Sequence, residues 1–234
     1  MQRSMKEIWL TNPDDVIPRT DCTPIDWRPF AEKLVLGNKY LLRAIQDTKS
    51  DLADVAEVMR TSFSVIRDTE FDILLQPMGF SLILGEGDAF LKGDKFVIVA
   101  EDIPKKKVVG LLLLNMAKKQ RNCEVVVIAT HEAHQDIGIG QALATEYDRY
   151  IEACGVEMAF VWAAAEHSAT QKIMKSLGYV PRAVIPGYYR IFGGDNAYRR
   201  TIEVFMQKFY GQAERMATKQ LDLLKEAHKL IVPW

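Results

Sequence analysis

The sequence is poor in cysteine, and the spacing of its three cysteines is not that of a metal site or a disulfide framework. Cys22, Cys123 and Cys154 form an odd set without a C-x-x-C pair, which is typical of reduced thiols in a cytoplasmic protein. The four histidines add no metal site, because His131 and His134 could chelate together only on a helix and they precede the predicted one. We therefore expect no metal and a cytoplasmic location.

Long apolar runs and an excess of charge of either sign are missing as well. No apolar stretch comes near the roughly 18 residues of a membrane span, and residues 1–10 are polar and charged, without the apolar centre of a signal peptide. The formal net charge of −1 gives no general attraction to nucleic acid or to anionic lipid. We expect neither a membrane nor a nucleic acid as a partner.

The 234 residues are enough for one sizeable domain with additions at its ends. Residues 1–38 carry prolines that break regular structure, yet they are too apolar for a free linker, so we interpret them as an arm that packs on the domain or on a partner subunit. Residues 39–210 are the predicted domain, and residues 211–234 are predicted to form an amphipathic C-terminal helix. The apolar surface of the arm and of this helix predicts a homodimer.

Periodicity predicts strands and helices in alternation along the domain. A helix capped by Ser50, a helix closed by Gly155 and a helix opened by the capping-box pair Ser168 and Gln171 are predicted. Residues 64–93 mix apolar pieces with helix breakers and stay ambiguous. The predicted strands cover residues 39–46, 95–100, 108–116, 124–130, 158–165 and 201–210, with a mostly extended segment over 180–192.

The most informative segment is Gln135-Asp136-Ile137-Gly138-Ile139-Gly140-Gln141, which joins a β-branched strand to an amphipathic helix. A loop of this kind points successive backbone N–H groups at one spot, and the helix N-terminus adds partial positive charge. Gly138 and Gly140 leave room for a phosphate to touch the backbone. The segment therefore predicts a pyrophosphate site.

Two common phosphate loops share these glycines and fit badly. A P-loop requires Gly-Lys-Ser/Thr at its end, and the dinucleotide fingerprint requires Gly or Ala where this chain has Leu143. Gln135-x-x-Gly138-x-Gly140 instead resembles the coenzyme A loop of the GCN5-related N-acetyltransferase (GNAT) superfamily, Gln/Arg-x-x-Gly-x-Gly/Ala. Residues 158–179, an apolar strand and a helix ending in Gly178-Tyr179, are similar to the second signature of that family.

The resemblance implies an α/β GNAT fold, a mixed sheet of six to seven strands with helices on both faces. In that fold the sheet splays between the strands that match Glu124–Thr130 and Met158–Ala165, and coenzyme A enters there. The loop is expected to present the N–H groups of Gln135, Ile137, Gly138, Ile139 and Gly140 to the pyrophosphate, with Gln141 in the first helical turn. Asp136 departs from the family pattern, because a carboxylate beside a pyrophosphate is unfavourable unless it turns to solvent or caps the helix.

The resemblance also assigns residues near the acetyl group. A backbone N–H around Ala129 or Thr130 is expected to meet the oxyanion, and His167 stands where the family has an Asn that often bonds the pantetheine arm. The tyrosine that often protonates the thiolate in the family is replaced by Met174, which has no proton to donate. Tyr188 or Tyr189, water or no group at all is left for that role.

The general base is not fixed by the sequence. Acyl transfer to an amine needs a proton acceptor near the donor, and polar side chains follow both strands of the expected cleft. His has a suitable unperturbed pKa, whereas a Glu would need a raised pKa or a relaying water. We favour Glu124 and His131 as catalytic candidates with Tyr189 as the acid, and the other candidates are Glu132, Glu166 and His167.

The sequence thus predicts an N-acetyltransferase that moves an acetyl group from acetyl-CoA directly to a primary amine. The acceptor is a small molecule or a peptide, and we expect residues 60–93 and 181–200 to select it, since the sequence is least regular there. Two alternatives stay open. The chain could be a catalytically silent CoA-binding regulatory module, or an acyltransferase that uses a longer acyl-CoA or an acyl carrier protein.

Overall fold

The structure is a computed structural model that describes residues 23–69, 71–84, 94–194 and 197–216. Its strands are β1 (Lys33–Val35), β2 (Tyr40–Ala44), β3 (Lys95–Asp102), β4 (Lys107–Ala117), β5 (Asn122–Thr130), β6 (Met158–Ala164), β7 (Val180–Gly194) and β8 (Ala197–Phe209). Its α-helices are α1 (Lys49–Ser62), α2 (Pro77–Leu84), α3 (Ile139–Ala153) and α4 (Ala169–Ser176). Short 3-10 helices cover Ser64–Ile66, Asp72–Leu75, Glu132–His134 and Ala213–Met216.

The strands form one eight-stranded sheet in the order β1-β2-β3-β4-β5-β6-β8-β7. Every neighbouring pair is antiparallel except β5 and β6, which are parallel. The crossover between these two strands contains α3, as a parallel connection requires. The predicted α/β sheet is confirmed, with one strand more than expected because β1 forms within the segment predicted to be the arm.

Helices cover both faces of the sheet and bury two apolar clusters. The stripe of α3 packs on one face around Ile139, Leu143, Tyr147 and Ile151, which is the face predicted from the 3.6-residue period. On the other face α1 and α2 pack with Val55, Met59 and Phe80 against β3 and β4. In the described parts of the chain no helix is both long and apolar enough to cross a membrane.

Two predicted caps are wrong in detail. Thr48, not Ser50, caps α1: its hydroxyl accepts a hydrogen bond from the Asp51 N–H at 3.2 Å. Ser168 occupies the N-cap position of α4, but its side chain makes no capping bond. Gln171 donates its amide to the Ala164 carbonyl at 3.1 Å instead of reaching back to the cap, so it ties α4 to the end of β6.

The described part of the predicted arm packs on the domain. The Trp27 and Phe30 rings lie 6.1 and 5.2 Å from the Tyr150 ring of α3, and the Tyr150 hydroxyl donates to the Arg28 carbonyl at 2.6 Å. These apolar side chains of the arm are therefore packed against their own subunit. Residues 1–22 of the predicted arm and residues 217–234 of the predicted C-terminal helix lie outside the described residues.

Candidate functional site

The strands β5 and β6 separate halfway along their length. Their parallel pairing runs from Asn122 opposite Met158 to Val125 opposite Val161. Beyond that point, within the described residues 94–194, β5 pairs with β4 alone and β6 with β8 alone. A bulge at Val126, between the pairs Leu114–Val125 and Leu113–Val127, bends β5 where the separation begins. The result is a V-shaped gap in the sheet.

Backbone groups of β5 face this gap. The His131 N–H donates to the Val109 carbonyl of the neighbouring chain segment at 2.9 Å, and bonding alternates along an antiparallel pair. The N–H groups of Ile128 and Thr130 therefore point into the gap, while that of Ala129 points at β4. Of the two residues predicted to meet the oxyanion, Thr130 has the better backbone orientation.

The loop before α3 has the backbone that the glycine pattern predicts. Asp136 and Gly138 adopt positive φ values of 61° and 96°, and Gly138 is the N-cap residue of α3. The first N–H groups of a helix have no partner within it, so those of Ile139, Gly140 and Gln141 are directed out of the helix start. A Cβ on Gly140 would meet only ordinary contacts.

Side chains fix this loop to the neighbouring elements. The Gln135 amide donates to the Thr130 carbonyl at 3.2 Å, and the Ser62 hydroxyl of α1 donates to the same oxygen at 2.7 Å. Gln141 donates to the Ser176 hydroxyl of α4 at 3.2 Å. The loop, the open end of β5 and the C-terminus of α1 are thus held as one unit, with Gln135 acting as a structural tie.

A cavity of about 660 Å³ lies beside the gap. Its walls come from the α1–α2 connection, from β5 and β6 along the gap, and from the β7–β8 hairpin. In β7, residues 187–189 bulge between the pairs Pro186–Ile202 and Arg190–Arg200. Because a bulge re-aims side chains, Tyr188 and Tyr189 line the cavity.

Aromatic rings form a continuous belt, which we call the aromatic belt and define as Phe71, Tyr189, Tyr188, Trp162 and Phe205. The first four line the cavity, and Phe205 packs against Trp162. Successive ring centroids lie 5.7, 4.6, 4.5 and 4.7 Å apart. Tyr188 stacks on Trp162, and Phe71 meets Tyr189 edge to face. Such a wall offers ring faces and edges to a bound molecule.

The predicted site residues are only partly brought together. Glu124, Tyr189 and His167 all line the cavity. His131 does not: its Nδ1 accepts a hydrogen bond from the Ala133 N–H at 3.2 Å and caps a short 3-10 helix beyond the end of β5. Glu166 reaches the cavity too and pairs with Arg199 at 3.2 Å.

Glu203 of β8 is a cavity residue that the sequence did not single out. It is 3% exposed, and it stands opposite Ala164 of β6, next to the wide part of the gap. Burial raises the pKa of its carboxyl and the Glu166 carboxylate adds to that rise, while the Thr201 hydroxyl and the electrostatic interaction with His167 oppose it. Within the described residues no lysine, arginine or histidine forms an ion pair with it.

Met174 of α4 is fully buried in the cluster beneath the sheet. This position agrees with a packing role and removes it from the cavity walls. In the described part of the chain, no group of three His, Cys, Asp or Glu side chains is arranged to hold a metal ion.

Comparisons with known proteins converge on one family. The model of the acetyltransferase (GNAT) family matches residues 52–179, more than half of the chain. No curated protein matches the sequence.

Several solved structures are similar in fold. The ribosomal-protein-S5-alanine acetyltransferase from Vibrio fischeri has a TM-score of 0.60 and 16% identity, over 76% of this chain and 96% of that one. The ribosomal-protein-S18-alanine N-acetyltransferase from Escherichia coli has a TM-score of 0.56 and 16% identity, over 79% and 99%. A spermidine N-acetyltransferase mutant from Vibrio cholerae has a TM-score of 0.57 and 16% identity, over 75% and 96%.

Proposed function

The chain belongs to the acetyltransferase (GNAT) family, and from that premise we propose that it transfers an acetyl group from acetyl-CoA directly to a primary amine held in the cavity. The observation that supports this most strongly is the gap between β5 and β6, which joins the glycine loop to the cavity. A thioester entering from the loop side would meet an acceptor waiting on the other side.

The loop residues fit the pyrophosphate of coenzyme A. Gly138 adopts the left-handed backbone that directs the following N–H groups outward, and Gly140 places no side chain beside them. The Asp136 residue is exposed, so its carboxylate is solvated. Solvation lowers the repulsion between this carboxylate and the pyrophosphate. We propose that Gln135–Gln141 hold the pyrophosphate and that His167 lies near the pantetheine arm.

Acetyl-CoA supplies an activated acetyl thioester, and the chain supplies position and proton transfer. In our proposal the Thr130 N–H donates to the carbonyl oxygen as it gains negative charge. Direct transfer agrees with the cysteines, because Cys123 and Cys154 are buried and burial raises the pKa of both thiols. Within the described residues no cysteine lines the cavity.

Release of free thiol from acetyl-CoA against a panel of primary amines tests this function. We expect amine-dependent thiol release with formation of the acetylated amine. Tight binding of acetyl-CoA without turnover on any amine would favour the catalytically silent module. Turnover with a longer acyl-CoA but not with acetyl-CoA would favour the alternative donor.

Tyr189→Phe tests the proposed acid. A positioned acid normally contributes about 10²–10⁴-fold, so we expect kcat to fall by about 10²-fold while the Kd of acetyl-CoA stays unchanged. Tyr188→Phe is the matched control, because it removes the hydroxyl of the adjacent tyrosine while the ring at position 188 still stacks on Trp162. A loss of kcat in the Tyr188 variant alone would move the acid role to Tyr188.

We also propose a homodimer in the cytoplasm. Exposed apolar side chains on the β7–β8 hairpin support an interface: Val184 is 63% exposed and Ile202 is 43% exposed. Light scattering at micromolar concentration is expected to give twice the chain mass, and the mass of one chain would contradict the dimer.

A further inference from the structure

Glu203 is a buried carboxyl at the edge of the cavity. Burying a charge without a partner costs free energy, so a buried carboxylate favours a cationic partner. The Glu203 carboxyl is hydrogen-bonded to the Thr201 hydroxyl and forms no ion pair within the described residues. By contrast, Glu166 is already paired with Arg199. Among the other cavity carboxyls, Asp68 is exposed and Glu124 is only partly buried, so Glu203 is the buried one that has no cationic partner within the described residues.

The aromatic belt lies on the same side of the sheet as Glu203. Trp162 and Phe205 are direct cross-strand partners, and Glu203 is two residues before Phe205, so the three side chains share one face of β6 and β8. Ring faces attract cations within about 6 Å, and more strongly where water is excluded. An alkylammonium fits both features, with its charge at Glu203 and its chain along the rings.

We propose that Glu203 binds the ammonium group of an aliphatic amine acceptor and takes up its proton, with the aromatic belt holding the alkyl chain. The inference rests on the proposed acetyl transfer and names its acceptor class and its proton acceptor. Glu203 replaces Glu124 and His131 in this role. The base thus comes from β8, across the gap from the strand whose backbone meets the acetyl oxygen.

The proton and electron balance of the step is closed. The ammonium gives one proton to the Glu203 carboxylate, and the freed nitrogen lone pair forms a bond to the acetyl carbon. The carbon–sulfur bond breaks, and its electron pair leaves with sulfur as the thiolate of coenzyme A. The sulfur then takes the proton of the Tyr189 hydroxyl, and the second proton of the nitrogen restores that hydroxyl, so the products are the acetamide, the free thiol and protonated Glu203, which returns its proton to solvent.

The pH dependence follows from the charges around Glu203. Because the carboxylate is the active form and burial raises the pKa of this carboxyl, kcat/KM is expected to fall with decreasing pH at a value above the usual 4.3 for Glu. The charged and titratable groups that line the cavity with Glu203 are Glu166 and His167 after β6, Arg199 and Arg200 on β8, Tyr188, Tyr189 and Arg190 on β7, Glu124 on β5 and Asp68 from the α1–α2 connection.

The test uses Glu203→Gln with n-butylamine as acceptor and butyltrimethylammonium as a ligand without a transferable proton. Glutamine keeps the size and the bond to Thr201, and thermal unfolding checks that the variant folds. Because the variant has no carboxylate to take up the ammonium proton, only the fraction of n-butylamine that is already neutral in solution can react. We expect kcat/KM at pH 7 to fall by about 10²-fold or more, and to rise tenfold per pH unit up to the amine pKa of roughly 10.4. Binding of the quaternary cation should weaken by at least about tenfold.

Glu157→Gln is the matched control, because it removes the same charge just before the opposite end of β6 and should leave the pH profile unchanged. If Glu203→Gln keeps wild-type kcat/KM, the same pH profile and the same affinity for the quaternary cation, the inference is wrong while acetyl transfer stands. If the wild type binds acetyl-CoA but acetylates no amine, the proposed function and this inference fail together.

Discussion

Replacing Gly138 by alanine is expected to weaken acetyl-CoA binding by about 10²-fold, which corresponds to about 2.7 kcal/mol. Gly138 adopts φ +96° at the start of α3, a backbone conformation that residues with a Cβ rarely adopt. Relief of that strain would rotate the peptide and turn the following N–H groups away from their common point. The new methyl group would also meet Leu36 Cδ2 at 3.4 Å. Calorimetric titration of acetyl-CoA measures the loss.

Gly178→Ala separates strain from binding. Gly178 has φ +90°, and a Cβ there would make only an ordinary contact, with Lys208 Cε at 3.9 Å. Gly178→Ala should therefore lower the free energy of unfolding by about as much as Gly138→Ala, about 1–3 kcal/mol for a strained residue. Its affinity for acetyl-CoA should not change. Equal affinity losses in both variants would mean that the glycine loop has no special role in binding.

Arg43→Met is expected to lower the free energy of unfolding by about 3–5 kcal/mol. The Arg43 guanidinium bonds both oxygens of Asp51 at 2.6 and 2.9 Å and reaches Glu101 at 2.8 Å. Arg43 and Asp51 are buried, so the variant leaves the Asp51 carboxylate without a cation at the start of α1. Since the other end of α1 carries Ser62, loosening this helix also disturbs the anchor of Thr130.

The stability loss should depend on pH. Burial by itself raises the pKa of Asp51, but hydrogen bonds from Arg43 and the Gln46 N–H bring it below its usual value. In the wild type this contribution is complete above the unfolded pKa, about 3.9, and is lost as pH falls through the lower folded pKa. In the variant the hydrogen bonds from Arg43 are missing, so burial raises the pKa of Asp51 and favours its neutral form. The difference between the two proteins should therefore shrink from pH 7 towards pH 4.

Urea unfolding measures this difference, with Arg149→Met as the control. Arg149 pairs with Glu146 on the surface of α3 and is 64% exposed, so its loss should cost less than about 1 kcal/mol. The double variant Arg43→Met/Asp51→Asn should be more stable than Arg43→Met alone, because the uncompensated charge is gone. A double variant less stable than the single one would show that Asp51 acts mainly through its bond to Gln46.

The glycine loop could be predicted from the sequence because its requirements are local. Gly138 needs a positive φ, and α3 begins directly after it, so neighbouring residues carry the whole signal. The amphipathic stripe of α3 is equally local, because Ile139, Leu143, Tyr147 and Ile151 follow the 3.6-residue period and are buried together. The position of the gap came from the family resemblance, and the structure shows it as the end of β5–β6 pairing at Val125.

Glu203 could not be found in this way, because its environment is built by distant parts of the chain. Alternation along β8 puts Ile202, Val204 and Met206 on one face and Glu203 on the opposite face, which in a sequence pattern reads as the face that meets water. Here the α1–α2 connection, far away in the sequence, closes over that face. His131 shows the reverse case: its sequence position suggested the site, but its ring caps a 3-10 helix.

A crystal structure of the protein with coenzyme A tests the central claim most directly, since it locates both ends of the donor at once. We predict that pyrophosphate oxygens lie within about 2.7–3.2 Å of the backbone nitrogens of Gly138–Gln141, and that the sulfur lies in the gap between Thr130 and Ala164, facing the cavity that contains Glu203. Coenzyme A bound elsewhere, or bound at the loop with its sulfur outside the gap, would contradict the account.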